Sequence, residues 1–175
     1  KKELKFAVYS KEDGKRIPNL IQIILKKTQE ELEKYNIELK VNFFGFDKKT
    51  KVIVGENLGK LTKTEMLKLY NNSDFGMVAS MTNISLVPYE MMASGLPIIE
   101  FIEGSFLDFF ENNNAILIDF NYKTLVKKIL KHINEPQLLE EMVRNTQKSL
   151  KKLSWKNSVD EFLLILNKVE EYKNE

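Results

Sequence analysis

The chain has 175 residues, is 43% hydrophobic and 30% charged, and carries a formal net charge of +2. That is enough for one domain with a real core, and so even a charge balance gives no argument for a nucleic-acid partner. It has no cysteine, which excludes disulfides, cysteine-ligated metals and cysteine nucleophiles and fits a reducing cytoplasm.

In chain order, Lys5 to Tyr9 is a short apolar run expected to form a buried strand. The chain starts at Lys1 without a methionine and enters this strand almost at once, so it reads as a fragment or a processed form. Gly14 and Pro18 mark a turn. Asn19 to Tyr35 places Leu20, Ile23, Ile24 and Leu32 at helical spacing. Strands are expected at Val41 to Phe46 and at Lys51 to Gly55 ("KVIVG"). Thr62 with Glu65 three residues later is a capping box, which opens a helix to about Tyr70. Phe75 to Ala79 is a fourth strand, Ser85 to Ser94 a short helix stopped by Gly95, Pro97 to Phe101 a fifth strand and Ala115 to Ile118 a sixth. Glu111 to Ala115 is a turn. Helices over 121–134, 136–151 and 155–172 close the chain, and Trp155 is expected to pack the last of them onto the body. No apolar run approaches the ~20 residues of a membrane span, and no signal peptide is visible.

Strands that alternate with helices, several of them continuously apolar, predict an α/β fold. Its form is a single domain with a parallel, doubly wound, six-stranded sheet and helices on both faces. Such sheets bind ligands beyond the carboxyl ends of their strands. The loops 10–18, 46–51, 55–62, 80–85 and 102–107 therefore hold the candidate site.

Loop 80–85 leads into a helix N-terminus, where free amides and the helix dipole attract anions. Asn83 or Ser85 either caps the helix or meets such an anion; the local pattern does not choose. Glu90 follows among Val87, Tyr89, Met91 and Met92. It either points to solvent or accepts hydrogen bonds from a ligand's hydroxyls, such as the vicinal pair of a ribose. Lys11, Lys15 and Arg16 surround Gly14 in the first loop, which is either a solvated turn or a cationic cradle for a diphosphate. Neither a Walker A loop nor a G-x-G-x-x-G fingerprint is present. His132 is the only histidine, and near the end of a polar helix it reads as structural. With no Cys partner an all-protein zinc site is not expected, and no Asp-x-Asp pair exists to hold a metal-diphosphate.

Ser73 to Phe101, "SDFGMVASMTNISLVPYEMMASGLPIIEF", resembles the nucleotide-sugar-binding half of GT-B glycosyltransferases of family GT4, and most of all their rhamnosyltransferase-like branch. The general family pattern is an acid, seven residues, a second acid, then a small-Gly-x-Pro strand start. Glu90 matches the second acid and Ala93 to Pro97 the tail. Thr82 replaces the first acid, as Thr-Asn does in that branch. The resemblance spans nearly the whole chain and is most marked at 73–101.

The resemblance implies a Rossmann-like domain, half of a GT-B enzyme, that binds a nucleotide-sugar donor over residues 1–175, with C-terminal helices from about 121. Glu90 would hold the ribose hydroxyls. Asn83, Ile84, Ser85 and Leu86 would bring amides and small polar groups to the diphosphate and sugar. Thr82 occupies the place of the sugar-contacting acid. Lys11 and Arg16 would neutralise the diphosphate, and the backbone at Leu61 would meet the base. The donor would be UDP- or dTDP-linked and would need no cofactor or metal. The acceptor, a glycan or a lipid-linked chain, would come to a missing N-terminal domain. No general base is visible, so catalytic residues stay unassigned and the chain alone should bind weakly and transfer little or nothing. The whole enzyme would be cytoplasmic, peripheral to the inner face of the membrane. A nucleotide-sugar epimerase half-domain and a non-catalytic nucleotide-binding module are the alternatives.

Overall fold

The computed structural model describes residues 2–173. Six strands form one all-parallel sheet: β1 (Lys2–Tyr9), β2 (Ile37–Phe44), β3 (Glu56–Asn57), β4 (Phe75–Met77), β5 (Ile98–Phe101) and β6 (Ile116–Ile118). Their order is β3-β2-β1-β4-β5-β6. The order reverses between β1 and β4, the place where parallel sheets of this kind bind ligands, beyond the carboxyl ends of the strands. The helices are α1 (Pro18–Glu33), α2 (Lys63–Asn71), α3 (Leu86–Ala93), α4 (Tyr122–Asn134), α5 (Pro136–Lys151) and α6 (Trp155–Lys173).

The pleat divides the core in two. Phe6, Val8, Val41, Phe43, Phe75, Met77, Ile99 and Phe101 face α1 and α4, where Ile21, Leu25, Leu125 and Ile129 meet them. Ala7, Phe44 and Ile98 face α2 and α3, where Tyr70, Met91 and Met92 meet them. Full burial of side chains of this size contributes about 1.5–3 kcal/mol each. The doubly wound sheet expected from the sequence is therefore the fold.

Two expectations need correction. "KVIVG" is not the third strand; β3 is Glu56–Asn57. The run is apolar because Val54 is buried and Val52 packs on the core, but the Ile53 amide donates to the Gln22 side chain at 2.9 Å, not to a neighbouring strand. Gly55, at φ +65°, then turns the chain into register beside β2, and a Cβ there would lie 2.0 Å from the Val41 carbonyl oxygen. Trp155 does not pack α6 onto the body: it is 90% exposed, as are the side chains along α6 through residue 170 to lesser degrees. Trp155, Val159, Phe162, Leu166 and Val169 repeat at alternating steps of four and three, a continuous apolar stripe. Among the described residues no helix is long and apolar enough to cross a membrane.

Candidate functional site

Three connections converge at the switch between β1 and β4. The β1–α1 connection contains a 3-10 turn, Gly14–Arg16, and enters α1 at Pro18, whose missing N–H costs nothing in the first turn. Lys11 is exposed on this connection, while Arg16 is buried. The Lys11 Nζ and the Arg16 Cζ lie 5.8 and 5.9 Å from the centre of the Tyr9 ring, so one aromatic side chain carries both cations. Arg16 Nη1 donates to the Ala79 carbonyl at 2.7 Å.

The second connection, Ser80 to Ser85, runs from β4 into α3. Ser85 sits at the N-cap position with extended backbone, yet its side chain makes no capping hydrogen bond. Neither does Asn83, whose side-chain oxygen accepts from the Thr82 hydroxyl at 3.2 Å. Ser85 Oγ is buried without a partner. The α3 amides thus lack a side-chain cap, and a hydroxyl beside them is unsatisfied. Thr82, Asn83 and Leu86 are exposed, and Ile84 is half-buried. Capping, one of the two readings left open by the sequence, is not what Asn83 or Ser85 does.

The third connection leads to α2. The Thr62–Glu65 capping box is complete: the Glu65 amide donates to Thr62 Oγ1 at 3.3 Å, and the Thr62 amide donates to Glu65 Oε2 at 2.8 Å. The Thr62 amide and the Thr62 hydroxyl, which donates to Glu65 Oε2 at 2.7 Å, hold the Glu65 carboxyl below its usual range. Leu61, just before the cap, packs with Ile84 and Tyr9 on the same core cluster, so all three connections share one apolar floor. Glu90 and Tyr70 line a groove of about 360 Å³ between α2 and α3, with Lys63 and Ser94 at its sides. Burial, then the nearby Glu90 charge, pushes the Tyr70 phenol well above its ordinary value, so it stays protonated. A second recess of about 350 Å³ holds Lys11, Asp13, Gly45, Asp47 and Lys60 beyond β1 and β2. A cavity of about 590 Å³ lies elsewhere, against β6, α4 and α5 around His132; of the candidate loops only 102–107 reaches it, through Ile102 and Leu107.

Sequence reasoning did not single out the polar cluster beneath this surface. Ser80, Ser10 and Glu100 are fully buried. The Ser80 hydroxyl donates to Glu100 Oε1 at 2.8 Å and its amide to Glu100 Oε2 at 3.3 Å. The Ser80 carbonyl accepts from the Ser105 amide at 2.6 Å and the Ser105 hydroxyl at 2.8 Å. The available signal was an acid inside the apolar strand "PIIEF". Such an acid requires partners when buried.

A crevice at the switch of a parallel sheet, with an uncapped helix end and two cations beside it, is the form of a nucleotide-binding α/β domain. The sequence model of the family described as "Glycosyl transferases group 1" matches residues 56–149, more than half of the chain. The chain belongs to that family and is a glycosyltransferase domain of the GT-B type. Solved structures with the same fold include an α,α-trehalose-phosphate synthase (UDP-forming) from Burkholderia vietnamiensis, 11% identical, with a TM-score of 0.76 over 99% of this chain and 45% of that one. A mutant of S. aureus TarM in complex with fondaparinux, α-GlcNAc-glycerol and UDP is 19% identical, with a TM-score of 0.72 over 93% of this chain and 35% of that one. Anabaena HepE in complex with UDP-glucose is 13% identical, with a TM-score of 0.68 over 86% of this chain and 44% of that one. The chain thus spans less than half the length of each of these proteins. A search among curated proteins gives no significant match.

Proposed function

We propose that the chain is the nucleotide-sugar donor-binding half of a glycosyltransferase of family GT4, in its rhamnosyltransferase-like branch. The observation that carries this reading is the start of α3: an N-cap serine that does not cap, with its Oγ buried and unpartnered, at the switch of the sheet. The first amides of a helix have no intrahelical acceptor; at α3 these are Ser85, Leu86 and Val87, since Pro88 has no N–H, and a diphosphate satisfies them. In this reading the amides of Asn83, Ile84, Ser85 and Leu86 meet the diphosphate and sugar, and Thr82 lies beside the sugar. Glu90 accepts from the ribose hydroxyls, and the backbone at Leu61 meets the base. Lys11 approaches from solvent and Arg16 from beneath.

Transfer breaks the bond between the sugar and the diphosphate, so negative charge grows on the leaving oxygen. Fixed amides and two cations stabilise that charge more than the ground state, which is where rate enhancement arises. This chemistry requires no metal in the proposed site. The acceptor, a glycan or a lipid-linked chain, then occupies an N-terminal half. The whole enzyme works in the cytoplasm, at the inner face of the membrane when its acceptor is lipid-linked. UDP and dTDP are the donor nucleotides proposed.

The test is calorimetric titration of the chain with UDP, dTDP and GDP, with and without a chelator. Micromolar-to-millimolar binding of one diphosphate, insensitive to chelator and lost in Glu90→Ala, is expected. Equal binding by Glu90→Ala contradicts the ribose role. An epimerase half would instead interconvert its nucleotide-sugar without acceptor, which chromatography of the full-length protein's products detects.

A further inference from the structure

We propose that Glu100 is a positioning residue for the donor: it fixes Ser80, the first residue of the loop into α3, and thereby sets where that loop's amides meet the diphosphate. The proposal rests on the reading that loop 80–85 binds the donor.

Glu100 lies on β5, on the sheet face that carries Ile98 and α3, and is fully buried. An acid in such a place costs stability unless its oxygens are satisfied. Both are occupied by Ser80, one by its hydroxyl and one by its amide. The Ser80 carbonyl is held in turn by Ser105. Gly104 permits this approach, since a Cβ there would stand 2.6 Å from the Ser80 oxygen. Ser80 is thus gripped at its amide, hydroxyl and carbonyl, and Met81 packs on the core, while Thr82 and Asn83 are exposed and hydrogen-bonded to each other. The preceding residue, Ala79, is held by Arg16. The base of the loop is therefore clamped and its tip is left to meet a ligand, the arrangement that preorganised anion binding requires.

Burial pushes the Glu100 carboxyl up to about 8, against the lowering influence of Ser80, Arg16 and the Phe101 amide. In the protonated form the 2.8 Å contact runs from the Oε1 hydroxyl to Ser80 Oγ, while Oε2 still accepts from the Ser80 amide. A neutral acid is mimicked by glutamine in shape and in having one donor and one acceptor group. It is not mimicked by valine.

The test compares Glu100→Gln with Glu100→Val by amide hydrogen exchange of the unliganded chain and by UDP titration. Glu100→Val is expected to speed exchange of the hydrogen-bonded Ser80 and Ser105 amides at least tenfold, leaving β1 and α4 unchanged, and to weaken UDP about tenfold, the scale of one hydrogen bond to a polar partner. Glu100→Gln is expected to stay within about threefold in both. Should Glu100→Val not fold, Ser80→Ala replaces it, with faster exchange of the amides of residues 80 and 105 and weaker UDP binding expected. Unchanged exchange at both amides in the folded valine or alanine variant overturns the proposal, whether or not UDP binds. Faster exchange with unchanged UDP affinity also overturns it, provided Glu90→Ala still abolishes binding. Absence of UDP binding in the wild-type chain counts instead against the donor-loop reading.

Discussion

The Arg16 guanidinium donates to the Ala79 carbonyl at 2.7 Å and ties the β1–α1 turn to the end of β4 across the mouth of the sheet. The side chain is almost wholly buried, and its removal leaves that carbonyl without its side-chain donor. Arg16→Ala is expected to lower stability by about 1–3 kcal/mol, the cost of a buried acceptor losing its partner. It should also weaken UDP. Urea unfolding read beside calorimetry checks both effects. Loss of affinity without loss of stability would assign Arg16 wholly to the ligand.

Glu100 gives a signed pH dependence. Burial pushes its carboxyl from the ordinary 4.5 up to about 8. Between those values the folded chain holds a proton that the unfolded chain has released, so stability falls as pH rises. The contribution is complete below about 4.5, lost progressively up to about 8 and flat above it, with a slope of at most ~1.4 kcal/mol per pH unit. Urea denaturation at several pH values should show this slope for wild type relative to Glu100→Gln, which lacks the titrating group. Parallel curves would mean that the carboxyl is ionised in the fold.

The exposure of α6 makes a third prediction. Because the side chains from 155 to 170 are exposed, truncation after Ser154 should leave the melting temperature within about 2 °C of wild type, since none of these described side chains belongs to the core. It should also reduce any self-association through the apolar stripe, as read by analytical ultracentrifugation. A large fall in melting temperature would show that α6 packs on the domain.

At Gly55 the backbone leaves no room. Gly55→Ala puts a Cβ against the Val41 carbonyl at a left-handed φ, and neither can yield cheaply. Destabilisation of about 3 kcal/mol or more is expected by urea unfolding. A neutral substitution would mean that β3 can leave the sheet edge without consequence.

The sheet was legible because its strands are buried on both faces and so read as apolar runs, and the α2 start because a capping box is a local signal that needs no tertiary partner. "KVIVG" misled for the same reason: burial writes an apolar run whether its amides join a ladder or, as at Ile53, a glutamine. Trp155 misled because an amphipathic stripe announces that a helix needs a partner without saying where that partner is. The connections that converge at the β1–β4 switch follow from the fold rule for parallel sheets. Glu100 and Ser80 were not, because they are twenty residues apart and only the β4–β5 pairing brings them together.

The central claim is that Glu90 and the α3 start hold a nucleoside diphosphate. Calorimetric titration of the wild-type chain and of Glu90→Ala with UDP and dTDP tests it most directly. Saturable binding of one of them by wild type, weakened at least tenfold in Glu90→Ala with the melting temperature unchanged, is the predicted result. Equal binding by both chains, or no binding by a folded wild type, would contradict it.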